Sequence, residues 1–143
     1  MSPVNLTWPQ IGLTSTNTTS NNDPITINNT GNKIITNGNI RITAVNLRGE
    51  TTTSEFLLVA NFTVDYDTGV SPLLECDGTK MVNNTATGIT TANVTIGNLS
   101  ISSPASQEDL YFCLTEVTAG LSQQSYSTTS GTTYIYPWTI SVS

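Results

Sequence analysis

The sequence predicts an all-β chain: an antiparallel β-sandwich with an extra N-terminal strand on a flexible tether. Three observations carry that prediction. Apolar residues recur with period two, and no segment holds helical periodicity beyond a turn. Asn, Gly and Pro punctuate the alternation into about eight short strands. Composition suits both features: 27 Thr fit strands, while 15 Ser and 15 Asn fit turns. At 143 residues the chain fits one domain with a single sheet-on-sheet core. It divides into residues 1–12 (N-terminal strand), 13–24 (Ser/Thr/Asn-rich linker) and 25–143 (sandwich domain).

Val4, Leu6 and Trp8 alternate between Pro3 and Pro9, which suits a short edge strand. From Thr14 to Pro24 nothing can fill a core, so a linker is expected. Ile25 and Ile27 start a strand that turns at Asn29-Thr30-Gly31-Asn32. Ile34 and Ile35 lead to a second turn at Asn37-Gly38, where glycine accepts positive φ cheaply. Ile40, Ile42 and Ala44 alternate with Arg41 and Thr43 in a half-buried strand reaching Leu47.

The segment from Ser54 to Asp67 is the expected central strand. Phe56, Leu58, Ala60, Phe62, Val64 and Tyr66 share one face, and Leu57 and Val59 seal the start of the other. Residues 70–85 read as irregular, with a short strand at Met81 and Val82. Ile89, Ala92, Val94, Ile96, Leu99 and Ile101 give one long strand or two, broken at Gly97. The chain turns through Pro104 into Leu110, Phe112 and Leu114. Thr118 to Gly131 is loop-like. Tyr134, Tyr136, Trp138, Ile140 and Val142 form a last strand, which Pro137 confines to an edge.

Only Lys33, Arg41, Arg48 and Lys80 are positive, against a net charge of −6, so no basic patch for nucleic acid is expected. No apolar run reaches the ~18 residues of a membrane span. Met1-Ser2-Pro3 does not resemble a signal peptide, so an exported chain implies a leader removed elsewhere. Cys76 and Cys113 read as a disulfide, hence an oxidising compartment; two buried thiols are the competing interpretation.

Asn-x-Ser/Thr sequons begin at Asn5, Asn17, Asn28, Asn61, Asn83, Asn93 and Asn98, and each can accept a glycan in an exported protein. Composition alone supplies several, but Asn5, Asn28, Asn61, Asn93 and Asn98 fall on the polar phase of their strands. Asp65, Asp67 and Asp77, with Glu75, offer hard oxygen ligands for calcium, although their spacing fails the twelve-residue calcium loop; solvated acids explain them as well. Otherwise no cofactor is expected. The chain has no His, its cysteines are expected to pair, and no two acids stand in a suggestive context, so an enzyme is not expected. Glu108-Asp109-Leu110-Tyr111-Phe112-Cys113 resembles the Tyr-x-Cys end of an immunoglobulin strand, and that resemblance implies an immunoglobulin-like antiparallel β-sandwich.

Trp8 with its Ser/Thr/Asn stretch, then Asn22-Asp23-Pro24-Ile25-Thr26-Ile27-Asn28-Asn29-Thr30-Gly31-Asn32, is similar to a module common in secreted archaeal surface proteins. Leu110-Tyr111-Phe112-Cys113-Leu114 and the closing Trp138-Thr139-Ile140 extend the resemblance over most of the chain. It implies a β-sandwich of a surface layer, adhesive thread or pilus at the cell surface, and assembly by donor-strand exchange.

Two functions follow as expectations. The first is a structural subunit of an extracellular archaeal filament, a homopolymer in which Val4, Leu6 and Trp8 complete a neighbouring copy by donor-strand complementation. The competing placement of that strand is within its own domain. The second is a monomeric, glycosylated surface-layer or adhesion domain, with Tyr126, Tyr134, Tyr136 and Trp138 as an aromatic platform for glycans or a host surface. As a strand-phase stripe, the same four residues also suit a core.

Overall fold

A computed structural model describes residues 5–31, 33–66, 76–90, 106–129 and 132–143. Among them the chain is almost all β, with antiparallel pairing throughout. In chain order the strands are β1 (Thr16–Thr19), β2 (Ile25–Asn28), β3 (Ile40–Ala44), β4 (Leu47–Gly49), β5 (Phe56–Leu57), β6 (Phe62–Tyr66), β7 (Thr79–Lys80), β8 (Thr85–Gly88), β9 (Gln107–Glu116), β10 (Tyr126–Ser127) and β11 (Thr139–Val142). A 3-10 turn, Val59–Asn61, separates β5 from β6.

The first layer is built on β9, whose Leu110, Phe112 and Leu114 alternate and are all buried. β6 lies along one edge of β9, followed by β7. The other edge carries β1 beside the C-terminal half and β2 beside the N-terminal half. Between β1 and β2 the chain leaves the ladder, and Pro24 has no N–H to give it. Phe112 falls opposite that gap. Its N–H donates to Asp23 Oδ2 at 3.0 Å, and its carbonyl accepts from Ser20 N at 3.1 Å. A carboxylate thus stands in for a missing strand neighbour.

The second layer is split. β3 and β4 follow one line of chain broken at Val45 and Asn46. β11, β3 and β8 form one three-stranded sheet, and β10, β4 and β5 form the other. At the break, side chains take over the main-chain hydrogen bonds. Val45 O accepts from Trp138 Nε1 at 2.8 Å, and Asn46 O accepts from the Tyr134 hydroxyl. Asn46 N donates to Asn83 Oδ1 at 3.1 Å, while Asn46 Oδ1 accepts from Val59 N at 2.9 Å. Ile40, Ile42, Ala44, Val59, Met81 and Ile89 form one buried cluster with Phe62, Val64 and the β9 triplet, which is the core of a β-sandwich.

Several expectations change. The Ser54–Asp67 strand is two strands in different sheets. Leu57 and Val59 are buried while Phe56, Leu58 and Ala60 are exposed; after the 3-10 turn Phe62 and Val64 are the buried apolar pair, and Thr63, expected on a polar face, is buried between them. The turn advances the chain by an odd step, so the inward parity passes from odd to even positions. The linker of residues 13–24 is also shorter than expected, because Thr16–Thr19 is β1. Its threonines pair with β9 without filling the core. Residues 5–12 hold no strand. The last strand covers only Thr139–Val142, since Tyr134 and Trp138 turn to the carbonyls at the β3–β4 break. The loop expected over 118–131 contains β10, and the irregular stretch over 70–85 runs into β8. Of the strand expected from Ile89 to Ile101, only Ile89 is described, fully buried; Ala92 to Ile101 lie outside the described residues.

Candidate functional site

Leu6, Trp8 and Ile11 project from the irregular N-terminal segment onto the core and are half-buried there. Val4 lies outside the described residues. The Trp8 ring meets Phe62 edge-on, with centroids 5.1 Å apart, and Trp138 at 6.3 Å. Trp138 in turn packs against Phe62 at 5.2 Å and Phe112 at 6.3 Å. Trp8 is therefore a half-buried member of an aromatic cluster that joins both layers.

The polar contacts of this segment all go to one place. Trp8 Nε1 donates to Thr18 O at 3.2 Å, and Thr7 N donates to Asn22 Oδ1 at 3.0 Å. Asn21 N donates to Thr7 O at 2.7 Å, and Asn22 Nδ2 donates to Asn5 O. Gly12 O accepts from Ser15 N at 3.2 Å, so among the described residues every partner lies between Ser15 and Asn22 and no sheet ladder holds the segment. The bend after β1 also carries Asp23. Burial pushes its carboxyl above the usual range, opposed by the nearby Ser20 and by the hydrogen bond from the Phe112 N–H. Asp23 Oδ1 and Ser20 Oγ are buried without a partner of good geometry.

The remaining expected residues separate. Cys76 and Cys113 form a disulfide, with Cα atoms 5.5 Å apart. Cys76 precedes β7, so both cysteines attach to the first layer, unlike the bridge between sheets of an antibody domain. Asn5, Asn17, Asn28 and Asn83 are exposed. Asn61 is 9% exposed and donates its amide to Thr118 Oγ1 at 3.0 Å, so its sequon faces inward, against its expected polar phase. Asn93 and Asn98 lie outside the described residues. Asp65 and Asp77 line one open pocket of about 270 Å³ with Gly78, Thr79 and Thr90; Asp67 and Glu75 lie outside the described residues. Among the described residues no three metal-ligating side chains cluster, and no helix is long and apolar enough to cross a membrane.

The four expected platform aromatics divide as well. Trp138 belongs to the core stack. Tyr126 gives its hydroxyl to Glu55 at 2.8 Å and packs on the core. Tyr134 is half-buried and touches Tyr136 at 5.0 Å and Phe56 at 6.1 Å, with the Arg48 guanidinium 5.7 Å from its ring centre. Burial pushes the Tyr134 phenol up, Tyr136 adds to this, and Arg48 opposes it. The sequence does not set Phe56 outward, because the parity change at Val59–Asn61 is invisible there, and Arg48 meets Tyr134 only through the fold.

No protein-family model, curated protein or solved structure matches this chain.

Proposed function

We propose that this chain is a structural subunit of an extracellular filament, whose copies join when the N-terminal segment of one seats in the aromatic gap of the next. One observation carries the proposal. Leu6, Trp8 and Ile11 complete the core from a segment tied only to the chain beside it, without a ladder. An identical segment from a neighbour would make the same contacts with Phe62 and Trp138. Seating Leu6 and Trp8 as deeply as they sit here provides about 2–4 kcal/mol per joint before ordering costs. The connection to β1 is short, running through Gly12 to Ser15 and folded by a Ser15 N to Gly12 O bond of 3.2 Å. Four residues reach at most about 14 Å, so joined copies abut. The disulfide and the exposed sequons support an oxidising setting outside the cell.

Deleting residues 1–10 and viewing the protein by electron microscopy tests this. The full chain is expected as high-mass fibres and the truncated chain as monomers by sizing chromatography. Fibres that persist without residues 1–10 rule the mechanism out.

A further inference from the structure

A second surface is assembled on the β10-β4-β5 sheet. Register sets Ser127 opposite Arg48, and Arg48 opposite Phe56. Residues paired across a sheet share a face. The alternate set, Tyr126, Leu47 and Leu57, packs inward, so Ser127, Arg48 and Phe56 form a row on the outward face. Tyr134 leans over that row between Arg48 and Phe56, its hydroxyl pinned to Asn46 O. Tyr136 extends the aromatic surface, 54% exposed, and its N–H is fixed on Thr128 O at 2.9 Å. Arg48 donates through Nε to Thr53 O at 2.8 Å, which fixes the guanidinium beside the Tyr134 ring.

We propose that this face binds a carboxylated saccharide, a uronic-acid unit with its neighbour. Each part of the face suits one feature of that ligand. Phe56, Tyr134 and Tyr136 offer ring edges and faces for the C–H side of a pyranose. Arg48 offers paired N–H donors in the planar fork that matches a carboxylate. Ser127 supplies a hydroxyl at the far end of the row. Size separates a saccharide from a protein partner. Phe56 at 38% and Tyr136 at 54% exposure leave about 200 Å² of ring surface, taking 150–250 Å² per aromatic side chain. A stable protein joint needs about 800 Å² on each side. The net charge of −6 opposes any anion at long range, so recognition rests on contact and the affinity is weak, in the millimolar class.

The test is calorimetric titration of the full chain with tetragalacturonate and, separately, with the neutral maltotetraose. The acidic sugar is expected to bind about tenfold more tightly. Arg48→Gln should erase that preference while keeping residual neutral binding. Tyr136→Ala should weaken both, and Tyr136→Phe should restore them. Thermal melts of each variant check that the fold survives, and Tyr136 is exposed enough for that. The proposal falls if the wild-type chain binds neither sugar, if both bind equally, or if Tyr136→Ala changes nothing. It falls too if Tyr136→Ala separates wild-type copies in sedimentation, which would make the face a protein joint. The readout, the preference of the full chain for the acidic over the neutral sugar, is independent of whether copies join into fibres.

Discussion

Trp138 serves two systems at once. Its ring stacks with Phe62, Phe112 and Trp8, and its Nε1 caps the Val45 carbonyl where β3 stops. Trp138→Phe keeps an aromatic ring but leaves that carbonyl without its donor. The expected loss is about 1–3 kcal/mol in urea denaturation, as for a buried acceptor deprived of its partner. Asp23 gives a pH signature. Its carboxyl is held above the ordinary value, first by burial. The folded state therefore binds the proton more readily than the unfolded one, and the ionised form carries a cost at neutral pH. That cost is relieved as pH falls through the folded pKa. Asp23→Asn, which still offers Phe112 N an acceptor, should melt higher than wild type at pH 7, with the difference narrowing in acid. The sequence placed Trp138 inward by parity but could not show what its nitrogen reaches. Asn61 sat on a polar phase in an uninterrupted strand, and the 3-10 turn beside it was not legible because Val-Ala-Asn fits a strand equally well.

At the scale of elements, one carboxylate holds the β4–β5 connection to the chain before β10. Glu55 accepts from Ser122 N at 2.7 Å and Ser122 Oγ at 2.7 Å, and from Tyr126 Oη at 2.8 Å and Gln124 Nε2 at 3.0 Å. Led by the Ser122 N–H, these donors hold its carboxyl down at about 2. Gln124 Oε1 returns to Thr51 N and Thr52 N at 2.8 and 2.7 Å. A lowered pKa places the benefit above the unfolded carboxylate range of about 4.5, and it is lost as pH falls towards 2. Nuclear magnetic resonance should show the Ser122 amide shift moving in that window in wild type and not in Glu55→Gln. This clasp explains why a stretch read as loop contains a strand: its anchors, Ser122, Gln124 and Tyr126, are polar and lack apolar alternation. β9 was legible because one face is apolar at every second residue. β1 was not, because four polar residues in Thr16–Thr19 pair with β9 by backbone alone. The disulfide was legible from cysteine arithmetic. Cys76→Ser with Cys113→Ser should lose up to about 4 kcal/mol by the chain-entropy model, measured as a drop in the denaturation midpoint.

At the scale of the molecule, two layers meet over a core that residues 5–12 close from one side. Alternation predicted the two layers; it could not predict that the second breaks at Val45–Asn46, because the break is repaired by side chains distant in sequence. It also could not decide where the first apolar residues seat. If the segment is a separable plug, a chain lacking residues 1–10 should lose about 2–4 kcal/mol, since Leu6 and Trp8 are only half-buried. A synthetic peptide of residues 1–12 added in excess should raise its melting temperature again. No rise would mean the segment closes the core only when covalently attached.

The cysteine bridge has a mechanical consequence. The two half-cystines stand 37 positions apart, and the covalent path between them bypasses β7, β8 and the first part of β9. Pulled from its two ends, the chain cannot pay out that stretch. About 125 Å of contour stays hidden until the sulfurs part. A single-molecule trace in reductant should lengthen by that amount over one recorded without it.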